Sequence, residues 1–233
     1  MIKKKLSVIV PVYNEEKTII TTLKRIEETK DDRVEYEIIV INDGSKDNTL
    51  ELLKSNNNLY QHLIDGKQNF GKGYAVKKGL ELSTGDYVIF QDGDLEYDPE
   101  DFSKFIDVIQ KFQADIVIGS RFNYNKYTRS FNILNKLGNY ALTFFFNILY
   151  NTTFTDIYCC YLCFKKHLLD SKNLQTIGFE QHAEILCKLV KKGKKSFEVS
   201  VNYNGRTKNE GKKIKFYHML PVLLRILIER IKP

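Results

Sequence analysis

An α/β fold on a largely parallel central sheet, with helices on both faces, is predicted for this chain by three observations. Short apolar runs alternate with amphipathic segments through the first half. Such alternation implies strands joined by helical crossovers and covered on both sides. Three of the runs end in polar clusters, and no linker, repeat or low-complexity segment interrupts the 233 residues. One domain spanning 1–233 is therefore expected.

The elements follow in order. "LSVIVPVY" reads as a buried strand and "EEKTIITTLKRIEET" as an amphipathic helix. "YEIIVIND" is a second strand, followed by the helix "SKDNTLELLKS" with Ser45 or Asp47 as its cap. "GYAVKKGLELS" is a helix, "DYVIFQD" a strand, and "PEDFSKFIDVIQKF" a helix with Pro99 in its first turn. "ADIVIGS" is a further strand. Residues 130–150 read as helical, "GFEQHAEILCKLVKKG" as a helix, "SFEVSVNY" as a strand, and a last helix starts near Tyr217. Ligands of such sheets bind beyond the carboxyl ends of the strands. "PVYNEE", "INDGSKDNT" and "QDGDLE" all fall there, which one shared site explains better than three accidents.

Composition bounds the rest. The chain is 42% hydrophobic and 28% charged with a formal net charge of +7, its basic excess lying in the last third. A solvated lysine-rich surface explains this, and so does attraction to phosphates or an anionic membrane; nucleic acid is not an expected partner. Cys159, Cys160, Cys163 and Cys187 lack zinc spacing, and the N-terminal stretch lacks a signal-peptide pattern. Reduced thiols in a cytoplasmic protein are the expectation. No run reaches the roughly 18 apolar residues that span a bilayer.

"IFQDGDLEYDPE" places Asp92, Asp94, Glu96 and Asp98 at alternate positions after an apolar run. Crowded carboxylates raise one another's pKa unless a cation or hydrogen bonds offset the repulsion. Either these acids face water on a turn or they hold a metal. Two rival motifs fail. "GKQNFGKG" has phosphate-loop spacing, but Gly73 stands where Ser or Thr would bind magnesium. "DGDLEYDPE" opens like a calcium loop, but Tyr97 and Ser103 occupy the positions of its Gly and its bidentate Glu. No Gly-x-Gly-x-x-Gly follows the first strand, which argues against a dinucleotide oxidoreductase.

Eight motifs in order carry a resemblance: "SVIVPVYNEE", "IIVINDGSKDNT", "NFGKGYAVKKGL", "GDYVIFQDGDLEYDPED", "IVIGSRF", "FTDIYCCYLCFKK", "GFEQHAEILCKL" and "YNGRTKNEGKKI". The chain resembles an inverting glycosyltransferase of family 2 with the Rossmann-like GT-A fold. It is most similar to the branch holding dolichyl-phosphate mannose synthase and bacterial polyprenyl-phosphate glycosyltransferases. The resemblance implies a nucleotide-sugar-binding half over 1–122 and an acceptor-side half over 123–233. The donor would be GDP-mannose or a UDP-sugar, and Mg²⁺ or Mn²⁺ the cofactor, held by Asp92, Asp94 and Glu96. Alternate spacing would set Asp92 and Asp94 on one side of an extended segment. Glu96 stands where the mannose synthases carry a Gln.

By the same resemblance, Pro11, Tyr13 and Glu15 form the first nucleotide-contacting turn, and Asp43 recognises base or ribose unless it only caps a helix. Lys72 and Gly93 belong to the donor site. Arg121 lies on the sugar or acceptor side, and Arg206 with Lys212 hold the diphosphate. Asp94 and Arg206 are thus expected to act in catalysis, as is Asp156 of the Thr-Asp motif. Asp156 is the natural general base for a hydroxyl acceptor; a lipid phosphate is already anionic and needs none. Glu180 and Glu184 match recurrent acids that either act directly or orient Arg206 or a neighbour. Tyr158, Leu162 and His182 depart from common family residues, all on the acceptor side. Polyprenyl phosphate is the acceptor the resemblance favours. A glycan or protein hydroxyl, and a noncatalytic sugar-nucleotide-binding subunit, are the rival readings. "YALTFFFNILY" and the last helix, with Arg225, Arg230 and Lys232, either dock on the cytoplasmic membrane face or pack against protein.

Overall fold

The computed structural model describes residues 3–122, 129, 133–206 and 219–232. Seven strands among these form one sheet: β1 (Lys4–Val12), β2 (Val34–Asn42), β3 (His62–Asp65), β4 (Tyr87–Phe90), β5 (Ile116–Ser120), β6 (Leu162–Lys165) and β7 (Ser196–Ser200). Their order is β3-β2-β1-β4-β6-β5-β7. β6 runs antiparallel to β4 and β5, and every other pairing is parallel. The helices are α1 (Ile19–Glu28), α2 (Thr49–Ser55), α3 (Lys72–Leu82), α4 (Phe102–Phe112), α5 (Ile133–Tyr150), α6 (Gln181–Lys192) and α7 (Met219–Ile231). The α/β expectation holds, with one reversed strand.

The crossover through α1 leads outward from β1 to β2, whereas that through α3 leads back from β3 to β4. Right-handed connections of opposite sense place the two helices on opposite faces. Val8, Ile9 and Val10 of β1 and Ile38 to Val40 of β2 are fully buried, as strands covered on both sides require. Gly79 lets α3 lie close on the sheet: a Cβ there would sit 2.4 Å from Ile9 Cγ2. That close approach fixes the helix that begins at Lys72. Pro99 opens a 3₁₀ turn capped by Asp98 that leads into α4, as expected. Before α2 it is Asp47, not Ser45, whose carboxylate accepts the Thr49 N–H, at 3.0 Å.

At the amino edge of the sheet, Glu37 ties three elements together. Its carboxylate accepts hydrogen bonds from Ser7 Oγ on β1 (2.5 Å) and from the Thr84 N–H (2.8 Å), and it pairs with Lys5 Nζ at 2.9 Å. Burial alone would raise its pKa, but these partners hold it down at about 2. The folded-state value lies below the unfolded one, so the stability it contributes is complete above about pH 4.3 and is lost as pH falls toward 2. Glu37→Gln is expected to cost about 2–3 kcal/mol at neutral pH. It should also flatten that acid limb in urea titrations; an unchanged limb would remove Glu37 from the acid response.

Because β6 alone is reversed, the carboxyl ends of the other six strands and the start of β6 share one edge. Chain connections leave β1 and β4 in opposite directions, so the loops after these strands part and open a crevice between them.

Candidate active site

The crevice is built by backbone geometry that pins polar side chains. After β1, Asn14 adopts a left-handed conformation (φ 54°). Its N–H donates to Ser45 Oγ at 2.9 Å and its side-chain carbonyl accepts from the Lys46 N–H at 2.8 Å, lacing the first loop to the second. Gly44 has φ 69°, and a Cβ there would lie 2.4 Å from the Gln68 carbonyl carbon, so only glycine fits. Asp43 beside it is buried and accepts the N–H groups of Phe70 (3.0 Å) and Gly71 (2.7 Å). Burial nevertheless pushes its carboxyl upward in pKa. The contacts Asp43 makes within the protein thus order the loop that leads to Lys72.

At the tip of β4 the acids are arranged around two cations. Asp92 is bonded to Lys72 Nζ, and this partner outweighs burial to hold its carboxyl below the ordinary range. Leu95 takes φ 60°, unusual for a branched side chain, and the chain turns there. Asp94 and Glu96, on either side of Leu95, both reach Arg206. Asp94 lies 2.7 Å from its Nη2, and Glu96 accepts the Arg206 backbone N–H at 2.7 Å and the Tyr203 hydroxyl at 3.0 Å. Glu15 completes the group, pairing with Arg206 at 3.1 Å. Burial, together with the charges of Asp92 and Glu96, pushes the Asp94 carboxyl up to about 7. The carbonyl of Gly93 accepts from Thr18 Oγ1 at 2.7 Å, which anchors the turn to α1.

Two cavities meet here. The larger, about 360 Å³, is lined by Pro11, Tyr13, Glu15, Asp43, Lys72, Asp92, Gly93, Asp94 and Arg206, among others. The smaller, about 100 Å³, shares Lys72, Asp92, Glu96, Phe179 and Tyr203 with it and extends to Arg121, Tyr158 and His182. Arg121 stacks over the Tyr203 ring (5.1 Å) and forms a two-point ion pair with Asp156, at 2.7 and 2.8 Å. Asp156 is fully buried, also accepts the Arg121 N–H at 3.1 Å and the Asn139 amide at 2.9 Å, and lines neither cavity. Although burial opposes it, Arg121 holds the Asp156 carboxyl below its usual pKa.

Of the expected site residues, Asp156 lies beneath Arg121, Lys212 lies outside the described residues, and Glu180 and Glu184 line neither cavity; the others meet in one cleft. The segment bearing Asp92 and Asp94 is a turn and not the extended strand expected, so the two carboxylates go to different cations. Glu184 does not orient Arg206. It is buried against Arg225 of α7 at 2.6 Å and accepts the Gln175 and Thr176 N–H groups. Arg225 accordingly faces inward, the packing alternative of the two open to it in the sequence, whereas Arg230 is exposed.

Residues 7–170 match the family described as Glycosyl transferase family 2. The chain belongs to that family. Over 210 residues this glycosyltransferase is 33% identical to an uncharacterised protein of Methanocaldococcus jannaschii, covering 84% of the chain and 87% of that protein. Over 131 residues it is 40% identical to the dolichyl-phosphate beta-glucosyltransferase of Dictyostelium discoideum, covering 50% of the chain and 39% of that enzyme. Apart from the archaeal protein, the curated relatives extend well beyond the match, which spans 33% to 48% of their lengths. The fold matches glucosyl-3-phosphoglycerate synthase of Mycobacterium tuberculosis, solved with Mn²⁺, UDP and phosphoglyceric acid. The TM-score is 0.70 at 19% identity, covering 99% of this chain and 80% of that one. The GT-A expectation is met.

Among the described residues no three Asp, Glu, His or Cys side chains converge into a ready-made metal cage. Divalent magnesium-type ions need none: one or two carboxylates plus substrate phosphates suffice. Asp92, Asp94 and Glu96 crowd hard oxygen donors at the tip of β4, with Lys72 and Arg206 among their partners. The donor set therefore fits Mg²⁺ or Mn²⁺.

His182 has a larger place in the glycosyltransferase cleft than the sequence conveyed. Its Nε2 is buried without a hydrogen-bond partner, and the ring lies edge-on to Tyr158 at 5.8 Å. Burial, helped by nearby Lys72, lowers its pKa to about 4, so it is neutral at pH 7. The sequence signals were its departure from the common family residue and a polar side chain beside the buried positions of an amphipathic helix.

Proposed function

We propose that this chain transfers a hexose, with inversion, from GDP-mannose or a UDP-sugar to a polyprenyl phosphate of the dolichyl type, using residues 1–122 for the donor and 123–233 for the acceptor. The observation that carries this reading is the pairing of cations and carboxylates around the 360 Å³ cavity where β1 and β4 part. A nucleoside diphosphate would lie along Pro11, Tyr13, Glu15 and Asp43, with its phosphates between Lys72 and Arg206. As the bond from the anomeric carbon to the diphosphate breaks, its electron pair leaves with the phosphate. Lys72 and Arg206 are placed to offset that charge in a partly desolvated setting. A bound divalent ion, held by Asp92, Asp94 and Glu96, would neutralise the departing diphosphate further. Lys212 is proposed to assist Arg206.

The placement of Asp156 supports the phosphate acceptor. A hydroxyl nucleophile needs a base, and the carboxylate expected in that role is sealed under Arg121. A phosphate oxygen is already anionic and needs positioning only, for which the Arg121 guanidinium on the cleft wall is suited. The test is release of nucleoside diphosphate from a panel of GDP- and UDP-sugars, with polyprenyl phosphate or an oligosaccharide as acceptor. One donor is expected to turn over with the lipid phosphate, only when Mg²⁺ or Mn²⁺ is present. Turnover with the oligosaccharide would replace the lipid acceptor. Tight donor binding without turnover would favour a noncatalytic subunit, and no thermal shift with any nucleotide would end the donor assignment.

A further inference from the structure

Tyr203 opens the motif "YNGRTKNEGKKI", from which the resemblance draws only Arg206 and Lys212. In the structure it lines both cavities. Its place is set by the backbone around it. Beyond β7 the Val201 N–H still donates to the Ser120 carbonyl at 3.0 Å. An isolated antiparallel bridge then joins Tyr203 to Tyr97, and the Asn204 N–H donates to the Glu96 carbonyl at 2.9 Å. The segment carrying Arg206 is thus laced to the turn carrying Asp94 and Glu96. The Tyr203 ring packs against Tyr97 at 5.0 Å, and a Cβ on Gly205 would come within 2.6 Å of it. Packed so closely, the ring has little freedom to turn.

This side chain bears on two guanidinium groups by different parts. Its hydroxyl donates to Glu96 Oε2 at 3.0 Å. The other oxygen of Glu96 accepts the Arg206 N–H at 2.7 Å and lies 3.6 Å from Arg206 Nε. A carboxylate offers about four acceptor positions, so these bonds orient Glu96 without filling it. The ring meets the Arg121 guanidinium at 5.1 Å from its centroid, inside the roughly 6 Å reach of a cation–π contact. Arg206 lines the larger cavity and Arg121 the smaller. One tyrosine therefore supports a cation in each.

We propose that Tyr203 is a positioning residue that sets the two guanidinium groups relative to each other, Arg121 through its ring and Arg206 through its hydroxyl and Glu96. The assignment rests on the transferase reading, in which Arg206 meets the leaving diphosphate and Arg121 the acceptor. In an inverting displacement the acceptor oxygen bonds to the anomeric carbon on the face opposite the bond that breaks. The leaving oxygen keeps that bond's electron pair. Both oxygens must lie in line with the carbon, so a small misplacement of either cation slows the transfer.

Two substitutions separate the parts. Tyr203→Phe keeps the ring and removes the hydroxyl. Calorimetry with Mn²⁺ and UDP or GDP should then show affinity about tenfold weaker, the scale on which an acid's hydrogen-bond partner tunes metal binding. The KM for polyprenyl phosphate should stay within about twofold, because the ring beside Arg121 remains. Tyr203→Leu should add a rise of about fivefold in that KM. In Glu96→Ala the hydroxyl has no carboxylate to hold, so adding Tyr203→Phe should cost no further affinity. A residue that only fills space would lower the thermal midpoint without this split and without this dependence on Glu96. Wild-type nucleotide affinity in Tyr203→Phe, or a full further loss on the Glu96→Ala background, would overturn the assignment. So would an unchanged acceptor KM in Tyr203→Leu. In each of those cases a wild-type protein that binds nucleotide and turns over keeps the transferase reading. Wild-type protein that binds neither UDP nor GDP would sink that reading, and the assignment with it.

Discussion

Asp94→Asn is expected to lower turnover by about 10²–10³-fold or more, the scale seen when one preorganised electrostatic contact to a developing charge is removed. Asparagine preserves the shape of the side chain and can still accept the Glu96 N–H that Asp94 accepts at 3.1 Å. What is lost is one carboxylate among Asp92, Asp94 and Glu96, and with it part of the oxygen-donor set that fits a divalent ion. Arg206 would keep Glu15 and Glu96 as partners, so the loop carrying it should stay in place. Removing a carboxylate crowded by two others should leave the thermal midpoint equal to or above that of the wild type, the usual relation where function requires like charges held together. Release of nucleoside diphosphate in stopped assays measures the first effect and calorimetry the second. Chelation by EDTA should abolish wild-type turnover, and Mn²⁺ or Mg²⁺ should restore it. Full activity in Asp94→Asn, or indifference to chelation, would show that the acids at the tip of β4 serve only to hold Lys72 and Arg206.

How far the sequence could be read depended on which contacts are local. β1, β2, β4 and β5 were legible because burial on both faces demands uninterrupted apolar runs, as in "SVIVPV" and "EIIVI". β3 was not: it is a four-residue strand at the sheet edge, half exposed, and its "HLID" has no such run. β6 is equally short, and its reversed direction depends on pairing with β4 and β5, which no local pattern encodes. At the site, the strand-end position of each motif could be inferred from alternation of elements. The partnerships could not. Lys72 with Asp92 and Arg121 with Asp156 join residues far apart in the chain, and the left-handed Leu95 that turns the chain between Asp94 and Glu96 has no signature in a leucine. Arg225 stayed ambiguous for a related reason. Hydrophobic periodicity marks a cation on a helix as outward-facing unless the acids it meets, here Glu184 and Glu229, are known to be buried beside it.

The second large effect concerns the Arg121–Asp156 pair. Asp156 is inaccessible to solvent and the Arg121 side chain is only 15% exposed, so neither charge recovers hydration when the other is removed. Breaking a buried pair from one side costs about 3–5 kcal/mol, whereas replacing both partners with apolar residues can be nearly neutral. Asp156→Leu and Arg121→Met are each expected to destabilise the protein in urea by about that amount. The double variant should recover at least about 2 kcal/mol of their summed cost, the coupling expected of residues in direct contact. Additive losses would mean that the pair contributes through packing and not charge. Asp156→Asn separates stability from chemistry, because the amide carbonyl can still accept from Arg121 and Asn139. If Asp156 were the base for a hydroxyl acceptor, kcat would fall by about 10²–10⁴-fold even in folded protein. If it holds Arg121 toward a phosphate acceptor, kcat should change by about tenfold or less while KM for the acceptor rises, since positioning is what has been loosened. The ratio of those two losses, measured in the temperature range where the variant is fully folded, separates a hydroxyl acceptor from a phosphate in this cleft.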